Sequence, residues 1–194
     1  IRKLNYYPMN KKIESNKEYN YGLLIIDAQE KIIRPIANKN DVIKNIKIVL
    51  DVMQILGKDI YISEQSPDKL GSTISSLIPE SNFKLFTKVD FSIGRNNKLL
   101  DYLSIQEINN LIVCGFETHI CVQQSVCDFL REGYKTYIIS DAMASRNLID
   151  HNIALQRMLA EGATIASSES IIFELCKTSS RKEFKQISNI VKKK

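Results

Sequence analysis

Glycine, proline and histidine are scarce in this chain: its 194 residues include seven Gly, four Pro and two His. The shortage of the first two excludes a Pro- or Gly-rich linker, and no internal repeat or low-complexity tract divides the sequence. One domain is implied, residues 21–194, behind a polar, basic N-terminal extension of residues 1–20. Long apolar runs are missing too. "YGLLII" and "LIVCGF" fall far short of the roughly 20 residues that span a bilayer, and the first 20 residues have neither the apolar core nor the small-residue cleavage site of a signal peptide. The expectation is a soluble, cytoplasmic protein with no membrane partner.

The four cysteines, Cys114, Cys121, Cys127 and Cys176, form no CxxC pair, which excludes a disulfide framework and fits reduced thiols. With only His119 and His151 available, a zinc site built on Cys114, His119 and Cys121 would need a strand residue and a helix residue to converge. No metal or cofactor is expected. A nucleic-acid partner is disfavoured by where the charge lies. Of the net +5, residues 1–20 carry five basic and two acidic groups, and residues 177–194 carry seven basic and one acidic. That leaves residues 21–176 at −4, an acidic body unsuited to phosphate backbones.

What is present is alternation. "YGLLII" reads as a strand covered on both faces and ends at Asp27. In the following "DVIKNIKIVLDVMQILG", Val42, Ile43, Ile46, Val49, Leu50, Met53 and Leu56 recur at helical spacing and Gly57 offers a stop. Then come "DIYIS" (strand), "FKLFTKV" (strand), "RNNKLLDYLS" (helix), "NNLIVCG" (strand) and "HICVQQSVCDFLREG" (helix). "KTYIIS" (strand), a helix over residues 147–161, "ATIAS" (strand) and two C-terminal helices complete the chain. Six short apolar strands separated mostly by helices predict an α/β fold, a three-layer α/β/α sandwich with a mostly parallel six-stranded sheet. The alternation suits a flavodoxin-like nucleotide-binding domain as well, but "DAQEKIIRP" after the first strand lacks the glycine-rich phosphate loop.

Ligands of such sheets bind at the carboxyl ends of the strands. Residues expected there are Asp27, Ser63 and Glu64, Lys88, the segment from Gly115 to Cys121, and Asp141. Asp27 alone could simply end a strand, and Lys88 alone could be a solvated charge. Cys121 is more specific. The buried stripe of its helix is Val122, Val126, Phe129 and Leu130, whereas Cys121 shares a face with Ser125 and Asp128. With Thr118 as N-cap, Cys121 stands in the first helical turn, where backbone N–H groups and the helix dipole favour a thiolate and lower its pKa. Cys114, inside an apolar strand, reads as a packed core thiol, and Cys127 and Cys176 as structural. A thiol needs a base, a lysine keeps a nearby carboxylate ionised, and helix-start N–H groups can hold an oxyanion. Together these describe cysteine-dependent acyl transfer with Asp27 as the base in place of the usual imidazole.

The segments "LLIIDAQEK", "FTKVDFSI" and "VCGFETHICV", spaced as they are, resemble the isochorismatase-like cysteine hydrolases, a family that includes nicotinamidases and N-carbamoylsarcosine amidohydrolase. The likeness covers residues 22–192, and "SEQSPDKLG", "REGYKTYIISDAMASR" and "SSESIIFEL" are most similar to the isochorismatase-domain-containing subgroup. It implies an Asp27, Lys88, Cys121 triad and an oxyanion hole from the backbone N–H groups of Glu117 and Cys121. It also implies a cis peptide between Phe116 and Glu117, the strand order 3-2-1-4-5-6, and a homo-oligomer, dimer or tetramer. Where nicotinamidases carry an Asp-x-His metal motif, this chain has Ser63, Glu64 and Gln65, so the expected enzyme is metal-independent. Its substrate would be a small amide, carbamoyl or related compound, with Gln29, Glu64, Phe91 and Phe116 expected by position in the pocket wall. The alternative is a catalytically idle relative serving as an oligomeric binding or scaffold protein.

Overall fold

The computed structural model describes residues 20–192; the expected N-terminal extension, apart from Asn20, lies outside the described residues. Six strands form one parallel sheet: β1 (Tyr21–Ile26), β2 (Asp59–Gln65), β3 (Phe83–Lys88), β4 (Asn110–Phe116), β5 (Lys135–Ala144) and β6 (Thr164–Ala166). Their order is β3-β2-β1-β4-β5-β6, as the family resemblance implies. The central strands β1 and β4 are buried along their whole length, which explains their unbroken apolar runs: helices cover both faces and leave no side for polar residues.

Helices α2 (Lys39–Ile55), α7 (Ser168–Cys176) and α8 (Phe184–Val191) close a core on one face with Leu23, Ile25, Ile112 and Cys114. On the other face, α4 (Asn97–Ile105), α5 (Gln123–Arg131) and α6 (Leu148–Ala160) pack over Leu24, Ile26, Leu111 and Val113. Two one-turn helices, α1 (Glu30–Ile33) and α3 (Pro67–Leu70), and two 3₁₀ turns, Ser75–Leu77 and Ile93–Arg95, were not legible in the sequence pattern. They are too short for a 3.6-residue period to register. Among the described residues no helix is long and apolar enough to cross a membrane.

Register brings the strand ends to one level. Ile26 pairs with Ser63 on one side and with Gly115 on the other, while Gln65 pairs with Lys88. Asp27, one step beyond Ile26, therefore stands beside the ends of β2 and β4. Gly115 makes this juxtaposition possible. Its φ is +123°, and a Cβ there would lie 2.1 Å from the Ile26 carbonyl oxygen and 2.7 Å from the Ile26 nitrogen.

Two glycine substitutions should thus differ sharply in urea denaturation. Gly115→Ala is expected to cost about 3 kcal/mol or more, because backbone must move, whereas Gly57→Ala (φ +62°, nothing within 4 Å) should cost only the left-handed penalty of about 1 kcal/mol. Equal losses would contradict the proposed close approach of β4 to β1.

Candidate active site

Asp27 closes β1 in a left-handed conformation, φ 49°, which Asp tolerates better than most residues. Its backbone N–H donates to the Ser63 carbonyl at 3.1 Å, which fixes the direction of the side chain. The carboxylate is wholly buried. Ser63 Oγ donates to Oδ1 at 2.7 Å, and Lys88 Nζ donates to Oδ2 at 2.6 Å. Lys88, also buried, gives a second bond to Gln65 Oε1 at 2.8 Å. Cys121 completes the cluster: its thiol lies near enough to Asp27 and Lys88 for both charges to act on it. Three residues separated by 61 and 33 positions in sequence thus meet on the carboxyl edge of the sheet.

The electrostatics differ from those expected of a helix-start thiolate. Cys121 does not occupy the first turn of an α-helix but a π-helical turn, Thr118–Val122, that precedes α5, and it is only 5% exposed. Burial, then the neighbouring Asp27 charge, push its thiol up to about 12, against the pull of Lys88. The expectation of a lowered pKa is therefore corrected: the resting group is a thiol, because desolvation and a like-signed neighbour outweigh the single ammonium. Asp27 is likewise raised above the usual carboxylate range by burial, a rise opposed by Lys88, Cys121 and Ser63. Thr118 is not the N-cap either; its hydroxyl is engaged by His151 Nδ1 at 2.9 Å. The expected division of faces holds only in part: Val122, Val126 and Phe129 are buried and Leu130 partly so, but Cys121 and Ser125, expected off the core face, are buried as well. The Ser125 hydroxyl donates to the Cys121 carbonyl at 2.6 Å and accepts from Ile93 N–H at 3.0 Å. The peptide between Phe116 and Glu117 is cis.

The residues expected in the pocket wall are placed unevenly. Gln29 is buried with both ends of its amide engaged: Oε1 accepts from Gln65 N–H at 2.7 Å, and Nε2 donates to the Gln65 carbonyl at 3.1 Å. Glu64 Oε1 accepts from Thr73 N–H at 2.6 Å, and the Phe116 ring lies inside the core. Phe91, three residues beyond Lys88, is 53% exposed and the one of the four with an open ring. Asp141 does not end its strand, since β5 runs on to Ala144; its carboxylate accepts from Ser168 N–H and Oγ, both at 2.7 Å, and so holds the start of α7.

Ser63 and Gln65 were expected near the strand end, but not their roles, Ser63 as a donor to the carboxylate and Gln65 as the second acceptor for Lys88. Strand alternation could have found them, because residues two apart in β2 face the same side and Glu64 between them faces the other. Among the described residues no group of three or more His, Cys, Asp or Glu is arranged to hold a metal ion. All four cysteines are unpaired and buried.

Residues 21–170 match the isochorismatase domain. Isochorismatase family protein 1B of Dictyostelium discoideum is 38% identical over 179 residues, which span 89% of this chain and 86% of that protein. Among solved structures, the MAR1 ribonuclease of Caenorhabditis elegans superposes with a TM-score of 0.85 at 30% identity, covering 89% of this chain and 90% of that one. The YcaC gene product of Escherichia coli, described as an octameric hydrolase of unknown specificity, superposes with a TM-score of 0.76 over 83% of this chain and 81% of that one. At 17% identity this is a likeness of fold alone. With most of its length matched to the domain and a relative similar across nearly the whole of both proteins, the chain belongs to the isochorismatase family and has its hydrolase fold.

Proposed function

We propose that this protein is a metal-independent cysteine hydrolase that cleaves a small amide, carbamoyl or related carbonyl compound through a covalent intermediate on Cys121. The observation that carries this reading is the buried Asp27–Lys88 pair beside the buried Cys121 thiol, whose proton affinity both charges influence. In the reaction, the Cys121 sulfur bonds to the substrate carbonyl carbon while its proton passes to the Asp27 carboxylate. The carbonyl oxygen becomes an oxyanion near the backbone N–H groups of Glu117 and Cys121. The first amides of a helical turn have no acceptor within the turn, which suits them to this task. Collapse breaks the C–N bond and the leaving nitrogen takes the proton back from Asp27. Water then attacks the thioester, giving its proton to Asp27, and the departing sulfur recovers that proton.

Lys88 favours the carboxylate at rest and the thiolate as it forms. Metal independence is supported by the fates of Ser63, Glu64 and Gln65, all engaged by partners inside the protein. Phe91, with its ring exposed, would meet an apolar part of the substrate, whereas Gln29, Glu64 and Phe116, buried and engaged within the protein, would support the site without touching it. Exposed Leu148, Ile149 and Ile153 at the start of α6 support a homo-oligomer, dimer or tetramer, and four unpaired thiols fit the reducing cytoplasm. The ribonuclease activity in the name of the C. elegans neighbour is not favoured here, because residues 21–176 carry net negative charge.

Against a panel of small amides, ureas and esters, Cys121→Ala and Asp27→Asn should each lower turnover by about a thousandfold or more. Lys88→Ala should be severe and Lys88→Arg a poor rescue, since a planar fork does not replace a compact ammonium. The Asp27→Asn, Cys121→Ala double variant should be hardly worse than the worse single one. Turnover that survives Cys121→Ala with little loss would sink covalent catalysis.

The pH dependence follows from the raised Asp27. A protonated carboxyl cannot take the thiol proton, so kcat/KM should fall as pH drops through the Asp27 pKa, and this acidic limb should lie above the ordinary carboxylate range. A limb within or below that range would show that burial does not govern this group.

A further inference from the structure

Glu117, at the N-cap of the turn that carries Cys121, and Thr118 and His119, its first two residues, are each tied to the corner between β5 and α6 or to α6 itself. The Glu117 carboxylate accepts from Arg146 N–H at 3.0 Å and from Arg146 Nε, at 2.9 Å to Oε1 and 3.1 Å to Oε2. Thr118 Oγ1 shares its hydrogen bond with His151 Nδ1 at 2.9 Å. His119 Nδ1 lies 2.9 Å from Ser145 Oγ, which also accepts from the His119 backbone N–H at 3.4 Å. Both histidines of the chain are spent on this junction.

The turn's own backbone bonds spread over a wide ring, with Gln123 N–H returning to the Thr118 and Ile120 carbonyls. Ile120 N–H and Val122 N–H both converge on the Glu117 carbonyl, at 3.1 and 3.3 Å, in the wide geometry of a π-helical turn. A nucleophile and two oxyanion donors on such a turn need their geometry fixed to a fraction of an ångström, which requires support from neighbouring groups. The outside bonds supply it. The Arg146 side chain is more than half exposed, Ser145 is buried and His151 partly so, and all three line one cavity of about 320 Å³. Truncating them enlarges an open space and leaves no sealed void, so the variants should fold.

We propose that Ser145, Arg146 and His151 are positioning residues, a three-point clamp that fixes the Cys121 turn through Glu117, Thr118 and His119 without touching substrate. The proposal rests on the reading of Cys121 as nucleophile. It goes beyond the triad in assigning the reactivity of Cys121 to a segment of the chain that holds no triad residue.

The test compares Ser145→Ala, Arg146→Gln and His151→Leu with the conservative Ser145→Thr, Arg146→Lys and His151→Asn, an Asn amide being able to occupy the place of Nδ1. The rate of alkylation of each cysteine by limiting iodoacetamide is followed by mass spectrometry beside the thermal midpoint, with kcat and KM for any amide that is turned over. In the native sequence Cys121 should react well before Cys114. Each truncation should slow Cys121 about tenfold or more and lower kcat with little change in KM. The conservative variants should recover most of the rate. Truncations that lower the thermal midpoint but leave Cys121 reacting at the native rate or faster would overturn the clamp alone. Native protein in which Cys121 reacts no faster than Cys114 would overturn the nucleophile reading, and the clamp with it.

Discussion

A buried carboxylate facing a buried ammonium at 2.6 Å is the interaction on which the rest of this structure depends. Removing two such ions from water costs several kcal/mol each, and their attraction repays this only where the remaining hydrogen-bonding positions are filled. Here they are. Ser63 fills the second carboxylate oxygen, Gln65 takes another ammonium proton, and Gln29 holds the Gln65 backbone from both sides. This demand explains why β2 ends in the polar run Ser63, Glu64 and Gln65, where β4, β5 and β6 end in apolar residues.

The same burial sets the character of the thiol. Thiols made reactive by exposure and positive surroundings rest as thiolates; Cys121, with its thiol at about 12, rests protonated. In the proposed reaction its proton leaves in step with attack, and burial raises the affinity for protons of Asp27, the carboxylate that acts on it. Two neighbouring groups whose proton affinities burial raises together are suited to passing a proton back and forth. A strong thiolate beside a weak base would be less so, because reprotonating the leaving nitrogen would then lack a ready donor. The lysine keeps the two negative forms within reach without fixing the proton on either.

Most of the fold was legible in the sequence because fully buried parallel strands leave continuous apolar runs and helices leave a 3.6-residue stripe. "YGLLII" is β1 to the residue. Strand ends were less legible: β2 and β5 run two and four residues past "DIYIS" and "KTYIIS", the first through Glu64 and Gln65, which have internal partners, and the second through Asp141 and the apolar Ala142, Met143 and Ala144 beside β4. The meeting of Asp27, Lys88 and Cys121 could be foreseen from strand ends and family motifs. The state of the thiol could not, because a π-helical turn and a 5% exposure are products of packing that residue spacing does not encode. The bonds from Ser145, Arg146 and His151 were hidden for a related reason: they join residues 26 to 33 positions apart that share no periodic face.

The central claim is that Cys121 forms a covalent bond to substrate with Asp27 as its proton acceptor. The most direct measurement is rapid acid quench of a single turnover followed by intact-protein and peptide mass spectrometry. The account predicts a transient mass increase equal to the substrate's acyl group, confined to the peptide containing Cys121 and absent from Asp27→Asn protein over the same interval. Turnover with no adduct at any time, or an adduct on another residue, would contradict it.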